Sequence, residues 1–434
     1  MSIRTARMLA VAVIAGLTLV AACSVGTAPK VIRIGVELPL SGAEGRAGMP
    51  ALNGVQFWVQ QHPTIDGFTV EVVARDDAVG GVGDPRQGAN NIQSLAADAL
   101  VVGVIGPFDS SVARAELPIA NVANLAMVSP AVSSRCLTKE PYLPAGLSAS
   151  HADISCKVAG LPTPSSLRPS GTNTFFRLAT TDDLQGPAAA DFGYKNLKLR
   201  RVAVLSDHEA YGQALADGFT TRFMKLGGSV VAHLDFDPNG SLNLLAFMRR
   251  ARDDGAQAIY YGGVTANHGC VLRAQMGSVF GAGEAAPFLG GDGIAQDPDC
   301  VRHAGTNAVG IYATVPADSP DSVTTARPVI AAFRAQYRNA SDYGAYTIAA
   351  YDSAGVLYAA VDRAIKAGRP PARNEVVAQL ATTAGFTGAA GTFGFDGAGD
   401  TTLRVVSVFE SRSSDPAQPW SWINSVDYSA ALPY

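Results

Sequence analysis

Residues 100–111, LVVGVIGPFDSS, join an apolar run to Gly106-Pro107 and then to two hydroxyls, Ser110 and Ser111. A short apolar run closed by Gly and Pro reads as a strand buried on both faces, and the following SSVARA reads as a helix start. Strand, tight turn and helix N-terminus form a corner that can hold an anion. The first amides of the helix have no partner within it, the helix dipole favours negative charge there, and the serines add donors. The same residues also suit an ordinary turn in which a serine caps the helix. The adjacent acids Asp76 and Asp77 have the look of a carboxylate dyad, but acids at a strand end ordinarily cap the next turn, and they are read as caps. The motifs G-x-S-x-G, H-E-x-x-H and G-x-x-x-x-G-K-[ST] do not occur, and Gly281-Ala282-Gly283 does not open a helix after a strand. No C-x-x-C occurs and no histidine stands at ligand spacing from a cysteine, so neither zinc nor another cofactor is expected. The chemistry on offer is binding, and no enzyme activity is expected.

The elements that must position this corner alternate. A strand over 31–38 turns through Pro39-Leu40-Ser41-Gly42 into a helix over about 48–61, and a second strand over 68–74 ends at Arg75-Asp76-Asp77. Glycines at 80–83 lead to Asp84-Pro85, an N-cap and N1 pair, and a helix through Leu95. After the corner come a helix to about Ala123 and a short strand at 126–128 ending in Ser129-Pro130. Strands recurring at a spacing of about 30 residues predict βαβ units and a parallel sheet covered on both faces. Between Cys136 and Ser170 the alternation stops, and prolines at 141, 144, 162, 164 and 169 mark an irregular stretch that needs a staple or a function.

Alternation then resumes at 174–178 and continues with a helix to about Asn196, strand 201–205, helix 211–226, strand 229–234, helix 242–253 and strand 258–261. Leu215, Phe219, Phe223 and Leu226 share one face of the 211–226 helix, as packing on a sheet requires. A helix around Cys270, a strand at 287–289, the turn Gly290-Gly291-Asp292-Gly293 and a strand at 309–314 complete a second α/β half. Helices over 328–338, 345–367 and 375–382 follow, then a β-rich tail with strands near 392–396, 403–410 and 420–423.

The 434 residues are 47% hydrophobic and only 16% charged, enough to bury sizeable cores in two or three domains. The N-terminus has Arg4 and Arg7, an apolar run over 8–20 and small residues before Cys23, which reads as a signal peptide over 1–22. Val20-Ala21-Ala22-Cys23 resembles the bacterial lipobox, so Cys23 is the expected lipidation site, followed by a linker over 23–30. Cleavage removes two arginines and no acid, taking the formal charge from −4 to −6, and no basic patch points to nucleic acid. Four cysteines remain, an even number in an exported chain, which reads as two disulfides. Of three pairings, Cys136 with Cys156 and Cys270 with Cys300 are favoured because each closes a local loop.

Nine stretches in order, among them IRIGVELPLSG, DPRQGANNIQSL, VVGVIGPFDSSVA, MVSPAVSS, FFRLATTDDLQGPAAADF, VAVLSDHEAYGQALADGF, FLGGDGI and GTFGFDGAGD, make the chain resemble the periplasmic leucine-isoleucine-valine-binding proteins, the type I solute-binding proteins of bacterial ABC importers. The resemblance covers nearly all of the mature chain. It implies two Rossmann-like lobes with parallel sheets, joined by three hinge crossovers near Ala179, Pro316 and Asp396. Lobe one would take 31–178 and 316–395, lobe two 179–315 and 396–434. Ligands in such open sheets lie at the carboxyl ends of the strands, here between the lobes.

The resemblance also implies a binding set for an α-amino acid: Ser110, Ala131, Ser133, Tyr211 and Asp292. Hydroxyls and helix-start amides suit a carboxylate, and a fixed carboxylate suits an ammonium. It implies ABC permease and ATPase partners, a membrane attachment through lipid and an extracytoplasmic place. The chain departs from the family at Ala47, where an aromatic is frequent, at Val264 and Thr265, where tyrosines are frequent, and at Val79 and Asp109, where some members carry a cysteine bridge. The ligand is therefore read as an amino acid or similar small polar solute. A sensing receptor that signals through a separate membrane partner is the alternative.

Overall fold

The computed structural model describes residues 30–148, 152–281, 286–320, 322–366, 369–418 and 420–433. The signal peptide and Cys23 lie outside them, as do Ala282 and Gly283 of the glycine stretch noted above. Two mostly parallel sheets organise the chain. The first runs in the order Thr64–Ile65, Phe68–Asp76, Val31–Leu38, Val101–Ile105, Ala126–Ser129 and Phe175–Arg177. All its pairings are parallel except that of the two-residue edge strand. Val101–Ile105 is buried along its whole length, as its unbroken apolar run demands. The Phe68 strand continues past the expected end at Ala74, because Arg75 and Asp76 still pair with Glu37 and Leu38.

The second sheet runs Ser229–Asp235, Arg201–Ser206, Ala258–Gly262, Phe288–Gly290, Ile311–Val315, Val405–Ser411 and Ser421–Asp427. The last two strands are antiparallel additions from the tail. The chain leaves the first sheet after Arg177, leaves the second after Val315, and rejoins the second at Val405. In between, the helix Thr347–Ala364 packs back on the first sheet. Leu357 fills the space over Gly103, and Gly54 in the helix Gly45–Gln61 lets the Thr347 carbonyl come close where a Cβ would collide with it.

Both expected cysteine pairs are bridged, Cys136 to Cys156 and Cys270 to Cys300. Among its described residues, the stretch after Cys136 has two short 3-10 turns and a bridge between Leu143 and Ile154. Its apolar residues Tyr142, Leu143 and Leu147 cluster with the disulfide and with Ala214 of the helix Ala210–Lys225.

Two local differences have visible causes. The expected helix at 242 begins at Leu245, because the Gln275 side chain holds the preceding backbone open, accepting from the Leu244 amide and donating to the Leu242 carbonyl at 2.6 Å. A helix over Pro298–Ala304 was not anticipated. Asp297 caps it with a bond from the Asp299 amide, and proline occupies its first turn. No helix among the described residues is long and apolar enough to cross a membrane.

Candidate functional site

The corner after Val101–Ile105 depends on Gly106, whose φ of +129° and contact with the Glu37 carbonyl leave no room for a side chain. The following helix runs Ser110–Val122, and its cap position is Asp109, whose side chain makes no capping bond. Neither serine is therefore the N-cap. Instead the Ser110 hydroxyl accepts from the Ser134 amide at 3.2 Å and ties the corner to the turn after Ala126–Ser129. Ser129 organises that turn: its hydroxyl donates to the Pro107 carbonyl at 2.8 Å and accepts from the amides of Ala131 and Val132. Ala131 thus has its amide occupied. Ser133 is buried, with its carbonyl on the Asp182 amide at 3.0 Å and its hydroxyl beside the Asp182 carboxyl.

The second half of the set gathers at the turn after Phe288–Gly290. The Tyr211 hydroxyl donates to Asp292 Oδ1 at 2.6 Å and accepts from the Gly293 amide at 3.1 Å. Gln185 Nε2 donates to the same Oδ1 at 2.7 Å, and the Tyr346 hydroxyl donates to Oδ2. Gly291 makes this convergence possible, since a Cβ there would stand 2.5 Å from the Tyr211 hydroxyl. Burial raises the pKa of Asp292, while the bonds from Tyr211, Tyr346 and Gln185 partly offset the rise. Among the described residues no Arg, Lys or His pairs with it.

The structure brings Tyr211 and Asp292 into contact, and Ser110, Ala131 and Ser133 into a neighbouring pair of turns. Three participants were missed by sequence reasoning: Gln185, Asp182 and Tyr346. Asp182 and Gln185 stand three apart in the DDLQG stretch, one face of the helix Asp182–Lys195, a spacing that could have drawn attention to them. Burial pushes the Asp182 carboxyl up to about 7, with the Ser133 hydroxyl working against it, and neither oxygen has a hydrogen-bond partner of ordinary geometry. Tyr346 left no local signal. It precedes the helix Thr347–Ala364, its ring meets Phe108 edge-on at 5.2 Å, and its partner Asp292 is 54 positions away.

The nearby arginines have structural partners. Arg177 donates to Asp400 at 2.7 Å and to the Ser134 carbonyl at 2.8 Å, and Arg135 pairs with Asp183 at 2.6 Å. Behind the corner lies a second group of acids, Glu37, Asp77 and Glu116, all without exposed surface. The expected capping role holds for Asp76, which accepts from the amides of Leu40 and Ala78 at 2.8 and 2.9 Å. It fails for Asp77, which turns inward to Glu37 and is pushed up to about 10, by burial first and by the Glu37 charge next.

Comparison with known proteins adds an independent line. The family model described as "Periplasmic binding protein" matches residues 31–415. Leu/Ile/Val-binding protein homolog 3 of Brucella melitensis is 28% identical over 336 residues, 77% of this chain and 79% of that one. The leucine-, isoleucine-, valine-, threonine- and alanine-binding protein of Pseudomonas aeruginosa is 25% identical over 411 residues, 94% of this chain and 95% of that one. Among solved structures, the leucine binding protein LivK of Thermotoga maritima superposes with a TM-score of 0.72 at 24% identity, covering 92% of this chain and 99% of that one. A solute binding protein of R. palustris in complex with 4-hydroxybenzoate gives 0.70 at 19% identity, covering 92% and 97%. These likenesses in structure establish a shared fold.

Proposed function

Because this chain belongs to the periplasmic binding protein family, we propose that it is the extracytoplasmic solute-binding component of an ABC importer and that it captures an amino acid or a related small polar ligand. Lobe one takes residues 31–178 and 316–395 and lobe two takes 179–315 and 396–434, with hinges near Ala179, Pro316 and Asp396. The passage of the chain between the two sheets supports this division. Ligand binding closes the lobes over the site by hinge motion, and the permease reads the closed form. Residues 1–22 direct export, and Cys23 carries the lipid that holds the protein at the membrane.

Ser110, Ala131, Ser133, Tyr211 and Asp292 form the ligand-binding set. The observation that carries the reading is Asp292, a carboxyl enclosed by two phenols and an amide with no cation on it among the described residues. A desolvated carboxylate held by neutral donors is matched by an ammonium, and the ligand's own carboxylate then meets the hydroxyl side of the site. The relatives that bind leucine, isoleucine and valine by name support an amino acid. The neighbour in complex with 4-hydroxybenzoate takes an acid that lacks an ammonium, so the choice between the two ligand classes falls on Asp292.

Thermal unfolding of the detergent-solubilised full chain against amino acids and aromatic acids tests this. A ligand at a hundred times its Kd adds about 2.7 kcal/mol, a clear shift in Tm. An amino acid should shift the wild type and leave Asp292→Ala unmoved. If only acids without an ammonium shift the wild type, the assignment of Asp292 is wrong.

A further inference from the structure

The irregular stretch that begins at Cys136 is rooted in the first half of the chain and ends against the second. At its roots Leu137 and Leu167 share an apolar cluster with Val101 and Leu117, and the Asn121 side chain donates to the Thr172 carbonyl at 2.7 Å and accepts from the Ser170 amide at 2.8 Å. Lys139 pairs with Asp396 at 2.6 Å and Arg168 donates to the Ala398 carbonyl at 3.0 Å, so the same roots hold the segment around Asp396. Further along, the partners change. Cys136, Tyr142, Leu143, Leu147 and Cys156 form a small apolar cluster with Ala214 of the helix Ala210–Lys225, and the Tyr142 hydroxyl donates to Asp217 on that helix at 3.2 Å. Arg135 meets Asp183 in the first turn of the helix Asp182–Lys195 at 2.6 Å. Both helices belong to the second half.

We propose that the segment 135–147, stapled to Cys156, is an interlobe latch: its contacts with Asp183, Ala214 and Asp217 form only when the lobes close, and they hold part of the molecules closed before any ligand binds. The inference rests on the division into two closing lobes given above. Contacts made in one of two states move the balance toward that state by their differential free energy, with or without a ligand. The Tyr142 bond is shielded from water, since the residue is only 9% exposed. Burial and the charge of Asp217 hold the phenol far above its ordinary range, so it remains a donor. The bridge between Cys136 and Cys156 closes the loop that presents Tyr142, so little chain freedom is lost when the latch engages.

The test measures distances between spin labels by pulsed electron resonance on the full chain, with labels at Val122→Cys and Arg250→Cys, exposed positions on the first and second lobes. Without ligand, the labels should report a closed and an open population. Tyr142→Phe keeps the ring in its cluster and removes the hydroxyl, and it should lower the ratio of closed to open by roughly tenfold, the net worth of a hydrogen bond to a charged group. Asp217→Ala should lower it by a similar factor, and the double variant should go no further than either alone, because both remove the same bond. Tyr428→Phe removes a bond of the same kind within the second lobe, to Asp191 at 2.7 Å, and should leave the ratio unchanged. A wild type that is wholly open without ligand, or a ratio that Tyr142→Phe leaves where it was, overturns the latch. Leucine and 4-hydroxybenzoate are then added in turn. If neither closes the wild type, the ligand reading fails, and the ligand-free ratios still decide the latch. One unchanging distance in every variant, with and without these ligands, removes lobe closure and the latch together.

Discussion

Asp292 and the group Glu37, Asp77 and Glu116 are carboxyls withdrawn from water in opposite company. Asp292 is met by three neutral donors, two phenols and one amide. Glu37, Asp77 and Glu116 meet one another, with the Asn91 amide on Glu37 at 3.1 Å, and Asp109 and Glu44 add further negative charge nearby. Burial is common to both regions and so cannot mark the site. What differs is the source of the hydrogen. Neutral donors favour the charged form of a carboxylate against the effect of burial and leave it able to meet a cation, whereas acids facing one another keep protons and satisfy themselves. In the proposed reading the first arrangement receives a ligand's cation, whereas the second closes on its own.

A third arrangement, an acid with a cation, bounds the comparison from the other side and gives the largest expected effect. Arg177 has no exposed surface and holds Asp400, which also meets Lys139 at 2.8 Å. The two cations keep the Asp400 carboxyl below its ordinary range against the opposing effect of burial. Arg177→Met leaves a buried charge and two carbonyls, Val132 and Ser134, without their donor. Stability should fall by about 3 kcal/mol in urea unfolding, the low end for a broken buried pair because Lys139 remains. A loss below about 1 kcal/mol would mean that water replaces the guanidinium, and the acid would then belong with the solvated ones.

The self-satisfied group predicts a pH dependence of known sign. Its carboxyls hold protons in the folded state that the unfolded chain has already released, so stability is lost as pH rises from the ordinary carboxylate range toward the value of about 10 for Asp77. Each proton held contributes a slope of about 1.4 kcal/mol per pH unit. Glu116→Gln supplies a permanent donor in place of a shared proton and should flatten the slope between about pH 6 and 8, with the gain in stability largest at the alkaline end. A wild-type slope already flat over that range would show that the group ionises in the folded protein.

How much of this could be read from the sequence follows the range of the interactions. The corner at Gly106, the βαβ alternation and both cysteine pairs rest on neighbours or local loops, and pattern and spacing expose them. Tyr211 and Asp292 were reached through motif resemblance, since nothing in a Gly-Gly-Asp-Gly turn says what its acid faces. Tyr346 and Arg177 were passed over because their partners stand 54 and 223 positions away, and no periodicity links residues across such distances. Asp76 and Asp77 show the limit most closely. Adjacent in a strand end, they point to opposite sides, and one caps a turn while the other joins the buried acids.

Asp84 supplies the smallest effect and isolates what charge contributes. Its carboxyl accepts from the amides of Arg86 and Gln87 at 2.9 and 2.8 Å, at the start of the helix Pro85–Ala97. Asp84→Ala should lose about 1 kcal/mol in thermal unfolding, and Asp84→Asn should recover nearly all of it, because an amide oxygen caps a helix about as well as a carboxylate. There the acid serves as an acceptor and its charge is incidental. The same Asn substitution at Asp292 leaves an acceptor facing Tyr211, Tyr346 and Gln185 but removes the charge that an ammonium would meet. If Asp292→Asn kept amino-acid binding as fully as Asp84→Asn keeps the helix cap, the distinction between receiving a cation and accepting a hydrogen bond would vanish, and Asp292 would be one more turn-forming aspartate.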